Sequence, residues 1–292
     1  MPRRALEDLA ARWVPGGGPV DVRPLTAGIV NESYRVARAG RLYCLRVATR
    51  DARDLGLDRE WECRVLKGAA AARLAPAIAR CEPDEGILVA EWVDGRAWTA
   101  LELKEPSKLR AVAALLRGVH ALPIPQPPRV MSPGDWIAHY AESLVRRGAH
   151  LSPAAARYRG AADACVAQLQ KTGTAPRVLC HSDVHRCNVA QGARPVLLDW
   201  EYAHVSDPFW DLAGWTQNND GSADFAARLL AEYLERPAAH ADGLRLELLQ
   251  WLYDYVCLLW SELYLSQRGD APDRAVSARA ETLAARLAAK SW

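Results

Sequence analysis

Residues 178 to 203, VLCHSDVHRCNVAQGARPVLLDWEYA, constrain this chain more than any other stretch. The first half sets Asp183 and, five residues on, Asn188 in the run His181-Ser182-Asp183-Val184-His185-Arg186-Cys187-Asn188. The second half is an apolar run, Pro195 to Leu198, that delivers another carboxylate, Asp199, at a strand end. Two acids and an amide brought together in this way can hold a divalent metal and accept a hydroxyl proton, the two things phosphoryl transfer asks of a protein. The loop pattern alone arises wherever Asp and Asn form turns. Its continuation into Asp199-Trp200-Glu201, and then into Asp207-Pro208-Phe209-Trp210-Asp211-Leu212-Ala213, makes it specific.

CHSDVHRCN, LLDWEYA and DPFWDLA resemble the aminoglycoside phosphotransferase and choline kinase superfamily, and DWEYA is most similar to the thiamine kinases and bacterial choline kinases. The resemblance implies an α+β, two-lobed protein-kinase-like fold, with a small β-rich lobe over residues 1–93 and a larger helical lobe over 94–292. It implies ATP and Mg2+ as cofactors, Asp183 as catalytic base, Asn188 and Asp199 as metal ligands, and Asp211 as a brace for the catalytic loop. Ser182 stands where regulated protein kinases carry the Arg that answers an activation-loop phosphate, so no such switch is expected.

Length and charge fit that reading. The chain has 292 residues, about what two lobes need. Its 37 Lys and Arg against 35 Asp and Glu leave no basic block, which argues against a nucleic-acid partner. Seven cysteines without a C-x-x-C pair read as reduced thiols, indicating neither zinc nor a disulfide framework. The first residues place acids in an apolar stretch and lack a signal-peptide core, so a cytoplasmic protein is expected.

A short amphipathic helix is predicted over Glu7–Trp13, then strands over Val20–Leu25, Ser33–Ala37 and Arg41–Ala48. In the connection before Ser33, Gly28 lets the backbone approach phosphate oxygens, and Asn31 and Ser33 can hydrogen-bond them; an ordinary hairpin loop would use the same residues. The family resemblance favours the nucleotide loop. Arg46 lies among apolar neighbours and needs an anion unless it reaches water from an edge strand. The helix predicted over Leu57–Leu74 carries Glu62, whose E-x-x-V-L context matches the family's partner for that cation, with Glu60 as the alternative. The strand Gly86–Val93 suits a hinge, and the resemblance makes Glu91, Trp92 and Val93 candidates for the adenine edge, although Trp92 also suits a core.

Beyond the hinge the pattern is helical, over Ser107–Leu122, Asp135–Gly148, Pro153–Gln170, Ala223–Glu235 and Leu244–Gln267. His120 reads as structural, tying a helix end to neighbouring backbone. Glu247, Asp254 and Glu262 interrupt the last helix, which argues against a membrane span. On it Trp251, Asp254, Tyr255 and Glu262 fall near one another at helical spacing, and Trp215 adds a wall from the preceding helix. Aromatic faces with carboxylates suit a cationic acceptor, and filling the core is the alternative.

Together these expectations describe an ATP- and magnesium-dependent kinase for the hydroxyl of a small cationic metabolite, thiamine first and choline second. Aminoglycoside, ethanolamine and sugar kinases share the catalytic parts. A pseudokinase that holds a nucleotide without turning it over is the alternative of another class.

Overall fold

The computed structural model describes residues 3–25, 30–48, 53–268 and 273–290. In chain order the elements begin with helix α1 (Arg3–Trp13), strands β1 (Val20–Pro24), β2 (Asn31–Arg38) and β3 (Arg41–Ala48), helix α2 (Arg59–Ala71), and strands β4 (Ile78–Glu82), β5 (Ile87–Glu91) and β6 (Arg96–Ala97). Helices α3 (Pro106–His120), α4 (Pro133–Arg146) and α5 (Pro153–Lys171) follow. Strands β7 (Val178–Cys180), β8 (Val189–Gln191), β9 (Pro195–Leu197) and β10 (His204–Ser206) lead to helices α6 (Phe209–Asn218), α7 (Ala223–Leu234), α8 (His240–Ser266) and α9 (Arg274–Ala289). Neither β4 nor α9 was expected from the sequence, although Asp273 caps α9 by accepting the amide of Val276.

The fold is α+β, with one compact unit built on an antiparallel sheet and another built on helices. The first comprises Met1–Arg53, Leu57–Trp98 and Cys187–Glu201. Its sheet runs β1-β2-β3-β5-β4 with every neighbouring pair antiparallel. Alternation along β2 and β3 decides its faces. Tyr34, Val36, Tyr43 and Leu45 join Ile87 and Val89 in a core that Leu6 and Ala10 of α1 complete, with Val14 just after it. On β3, Cys44 and Arg46 alternate with Tyr43 and Leu45 and so take the opposite face, and the register sets Ser33 directly across from Arg46. Asp58 caps α2 through the amide of Trp61, and the helix buries Trp61, Glu62, Val65, Leu66 and Ala69.

Against the expectation of reduced thiols, Cys63 of α2 and Cys81 of β4 are joined by a disulfide, while the other five cysteines are not disulfide-bonded. Packing of α2 beside β4 brings together two residues 18 apart that no spacing rule marks as a pair.

The second unit comprises Asp54–Gly56, Thr99–Arg186 and Tyr202–Trp292. Helix α8 runs through its core, burying Leu248, Leu252, Tyr255, Leu259 and Leu263 among others. Ser132, Ser152 and Ser222 cap α4, α5 and α7 through their side chains, which fixes where each helix starts. No described helix is long and apolar enough to cross a membrane.

Candidate active site

In the sheet unit, α2 and the β8–β9 hairpin bring charged side chains to Arg46. Arg46 Nη2 lies 2.6 Å from Glu62 Oε2, with the two side chains 12% and 2% exposed. Burial alone would lower the pKa of this arginine, but Glu62, with Glu201 and Asp199, outweighs it and holds the guanidinium more firmly protonated than usual. In the same way burial would raise Glu62, and Arg46 and Arg59 together draw it below the ordinary carboxylate range. The sequence-predicted pair is therefore a charged one, and Glu60 takes no part in it.

The hairpin carries the two expected metal ligands. Val189 pairs with Leu197, and the Leu198 amide donates to Asn188 O at 2.8 Å, so Asn188 and Asp199 sit near each other at one end of the hairpin. A further bond, Leu197 N to Leu74 O at 2.8 Å, ties the hairpin to the chain just after α2. Asp199 adopts φ +61°, and its side chain, 41% exposed, lies 3.4 Å from Arg46 Nη1. Glu201, two residues on, is buried and accepts from Arg59 at 2.8 Å and from Asn31 Nδ2 at 2.7 Å. Two guanidiniums against the carboxylates of Glu62, Asp199 and Glu201 leave one negative charge in excess. That balance, with an amide and a half-exposed carboxylate as hard oxygen donors, fits Mg2+.

The other residues expected to meet a nucleotide divide. Gly28 lies outside the described residues. Both ends of the Asn31 amide are engaged within the protein, Oδ1 accepting from Arg59 at 2.8 Å, so Asn31 anchors the start of β2 where a direct phosphate contact was expected. The amides of Glu91 and Trp92 are taken up in the sheet by Ala77 O and Leu42 O. The Glu91 carboxylate pairs with Arg41, and Trp92 lies under Arg35. Among the three, Val93 is the one whose amide the sheet does not use.

In the helical unit, β7 leads into the loop that carries Asp183, and α6 braces that loop. Asp211, fully buried, accepts the His181 amide at 2.9 Å on one carboxylate oxygen and the Ser182 amide at 2.7 Å on the other. Burial would raise its carboxyl, but His120 and the His181 amide outweigh it and hold it below the usual range. His120, expected to tie a helix end to backbone, instead bonds two side chains: Nε2 to Asp211 at 3.0 Å and Nδ1 to Tyr233 at 2.8 Å. An ionised Asp211 only accepts, so His120 Nε2 donates to it. Asp183 is 30% exposed, with its own amide donating to His181 Nδ1 at 3.3 Å and His185 Nε2 3.8 Å from its carboxylate.

Two carbonyls flanking Asp183 are also fixed. The Tyr253 hydroxyl approaches Ser182 O at 3.3 Å, and Asn218 Nδ2 donates to Tyr253 Oη at 2.8 Å and to Val184 O at 3.3 Å. Arg279 donates to Asn218 Oδ1 at 2.9 Å, which orients the amide. Burial, with Cys257 and Asp183 adding to it, pushes the Tyr253 phenol well up, so it stays a donor. Gly214 leaves the room for this: a Cβ there would come within 2.9 Å of the Tyr253 ring. The sequence reading missed Tyr253, Asn218 and Arg279, and only the apolar spacing of α8 hinted that Tyr253 faces inward.

The residues expected to surround the acceptor are not brought together. Trp251 and Tyr255 stack at 5.8 Å, both buried, and Tyr255 donates to Ala155 O of α5 at 3.0 Å. Asp254 points elsewhere, 2.5 Å from Arg286 of α9 and bonded to Gln217; burial outweighs both and pushes its carboxyl up to about 6. Glu262 accepts the Ser152 amide at 3.1 Å at the start of α5, and Trp215 is buried in α6. Core packing, the alternative reading of these aromatics, describes them.

A different aromatic group adjoins the catalytic loop. His204 Nδ1 lies 2.9 Å from Ser182 Oγ, and His204 Nε2 accepts from Trp136 at 3.2 Å. Tyr202 lies 6.4 Å from Trp136, its hydroxyl accepts from Trp260 at 2.6 Å, and Trp260 stacks on Tyr264 at 5.3 Å. Tyr202 and Trp260 are half-buried, unlike the aromatics the sequence singled out.

No curated protein matches the sequence at a significant level. Among solved structures, a choline/ethanolamine kinase family protein from Mesorhizobium loti is 22% identical, with a TM-score of 0.76 over 98% of this chain and 93% of that one. The choline kinase LicA from Streptococcus pneumoniae, also solved with AMP, is 20% identical, with a TM-score of 0.78 over 98% and 99%. The macrolide 2'-phosphotransferase MphH from Brachybacterium faecium is 18% identical, with a TM-score of 0.63 over 99% and 98%. At these identities the likeness establishes a shared fold. The family model described as "Phosphotransferase enzyme family" matches residues 21–249, more than three quarters of the chain, and covers Arg46, Glu62, Asp183, Asn188, Asp199 and Asp211: the chain belongs to the phosphotransferase enzyme family.

Proposed function

We propose that the protein transfers the γ-phosphoryl group of ATP to the hydroxyl of a small cationic alcohol, with choline or ethanolamine ahead of thiamine. The observation that carries the transfer is the fixing of the loop around Asp183. Asp211 holds the amides before it and Tyr253 and Asn218 hold the carbonyls on either side, while the Asp183 carboxylate is partly exposed. A base held in this way needs no reorganisation to take the hydroxyl proton. Arg46, kept charged by Glu62, is suited to the nucleotide phosphates. Asn188 and Asp199 would hold Mg2+, which when bound supplies neutralising charge to the phosphates.

The acceptor class rests on the half-buried Tyr202 and Trp260, continuous through Trp136 and His204 with Ser182. Aromatic faces beside a carboxylate attract an ammonium or quaternary nitrogen. Choline and ethanolamine kinases among the proteins of like fold favour an amino alcohol, and LLDWEYA keeps thiamine as the second choice.

The test is ADP formation with ATP and Mg2+ across choline, ethanolamine, thiamine, an aminoglycoside and a neutral sugar. An amino alcohol is expected to give the highest kcat/KM, and Asp183→Asn to cut turnover by about a hundredfold or more. A sugar or aminoglycoside that outperforms all the cationic alcohols overturns the acceptor assignment. Nucleotide binding without acceptor-dependent ADP overturns the transfer itself.

A further inference from the structure

Arg59 occupies the first turn of α2, where the helix dipole disfavours a cation, and it is largely buried, with its side chain 17% exposed. Neither helix formation nor solvation accounts for it there. Its guanidinium instead meets three side chains, one of them a turn on in α2 and two from distant parts of the sequence. Nη1 lies 3.0 Å from Glu62 Oε2 and 2.8 Å from Glu201 Oε2, and Nη2 lies 2.8 Å from Asn31 Oδ1. Asn31 Nδ2 closes the ring by donating to the same Glu201 oxygen at 2.7 Å.

We propose that Arg59 is a positioning residue that sets the nucleotide- and metal-binding groups together. Through Glu62 it fixes the carboxylate that orients Arg46. Through Glu201 it fixes the chain two residues beyond Asp199, and through Asn31 the start of β2. A planar fork with several donors satisfies these partners at once, and a single ammonium does not. Loss of the fork lets Glu62 and the Asp199 segment shift together, so the constants for nucleotide and metal move as a pair. This inference rests on the assignment of Asp199 to the metal and of Arg46 to the phosphates.

Arg59→Lys is expected to raise the apparent constants for both ATP and Mg2+ by about tenfold, the scale of one charge-assisted hydrogen bond, with the KM for choline unchanged. Asn31→Ala removes one uncharged member of the ring and should shift the same two constants in the same direction by less. It keeps the test decisive if Arg59→Lys does not fold. Constants for ATP and Mg2+ within twofold of wild type in whichever of these variants fold, or an effect confined to choline, overturn the proposal. Asp199→Ala is measured alongside. If it leaves the Mg2+ titration unaltered, the metal assignment fails; if it shifts the titration and the Arg59 and Asn31 variants do not, only the role of Arg59 fails.

Discussion

Asp211 receives the Ser182 amide at 2.7 Å, and the residue it holds sits at φ +72°, a left-handed conformation uncommon for a side chain larger than glycine's. The bidentate carboxylate offsets that backbone cost just before Asp183, the proposed base. In Asp211→Asn one oxygen becomes an NH2 group opposed to an N–H donor. Turnover is expected to fall by about ten- to a hundredfold and stability by about 2–4 kcal/mol, with the ATP constant little changed. Steady-state kinetics with urea denaturation checks both, and wild-type turnover would remove the brace from catalysis.

Tyr253→Phe deletes the hydroxyl that approaches Ser182 O and leaves Asn218 with one acceptor fewer. A fall in kcat of about three- to tenfold is expected, the scale of one neutral hydrogen bond. Gly214→Ala should cost more, since its Cβ displaces the Tyr253 ring itself. Equal activity in both variants would show that the loop carbonyls need no support.

Arg46→Ala leaves Glu62, almost wholly buried, with Arg59 beside it at 3.0 Å. The apparent ATP constant should rise by about tenfold or more and the melting temperature should drop, as expected when one member of a buried pair is removed. An effect on the acceptor constant alone would sink the phosphate assignment.

The pKa of His204 is pushed down to about 4, by burial first and by Arg129 in addition, against an ordinary 6.5. Folded protein therefore carries a neutral imidazole where the unfolded chain takes up a proton. Stability attributable to His204 is intact above pH 6.5 and is lost as pH falls through the window down to about 4. His204→Gln, weaker at pH 8 because its contacts to Trp136 and Ser182 change, should show a flatter decline between those limits. Parallel declines measured by thermal melts would exclude His204 as their source.

Trp260→Ala should raise the choline constant several-fold while the ATP constant stays put. Trp251→Ala, which empties a buried site beside Tyr255, should cost about 3–5 kcal/mol of stability without a selective effect on choline. The reverse pattern would restore Trp251 to the acceptor site.

The placement of the acids proposed for base and metal was legible because it depends on local spacing. Asp183, Asn188 and Asp199 fall in a loop and a hairpin closed by neighbours in sequence, and Asp211 follows at the next helix. The acceptor reading failed for a geometric reason. Helical periodicity puts Trp251, Asp254 and Tyr255 close in angle, yet Tyr255 meets α5 and Asp254 meets α9, and sequence does not say which neighbour covers which flank. Arg59 was half visible through its three-residue spacing to Glu62. Its bonds to Asn31 and Glu201 span 28 and 142 residues and left no local trace.

Ser182 and Asp199 both hold left-handed backbone, at φ +72° and +61°, and Ser182 directly precedes Asp183. Glycine enters that region freely, asparagine and aspartate with little penalty, and β-branched residues hardly at all. At position 182 a mutational library would therefore recover Gly and Asn and reject Val, Ile and Thr, whatever their polarity. Position 199 would tolerate Asn in backbone terms while losing its charge, so stability and activity would separate there. Substitution patterns at these two positions would thus record torsion angles as much as chemistry.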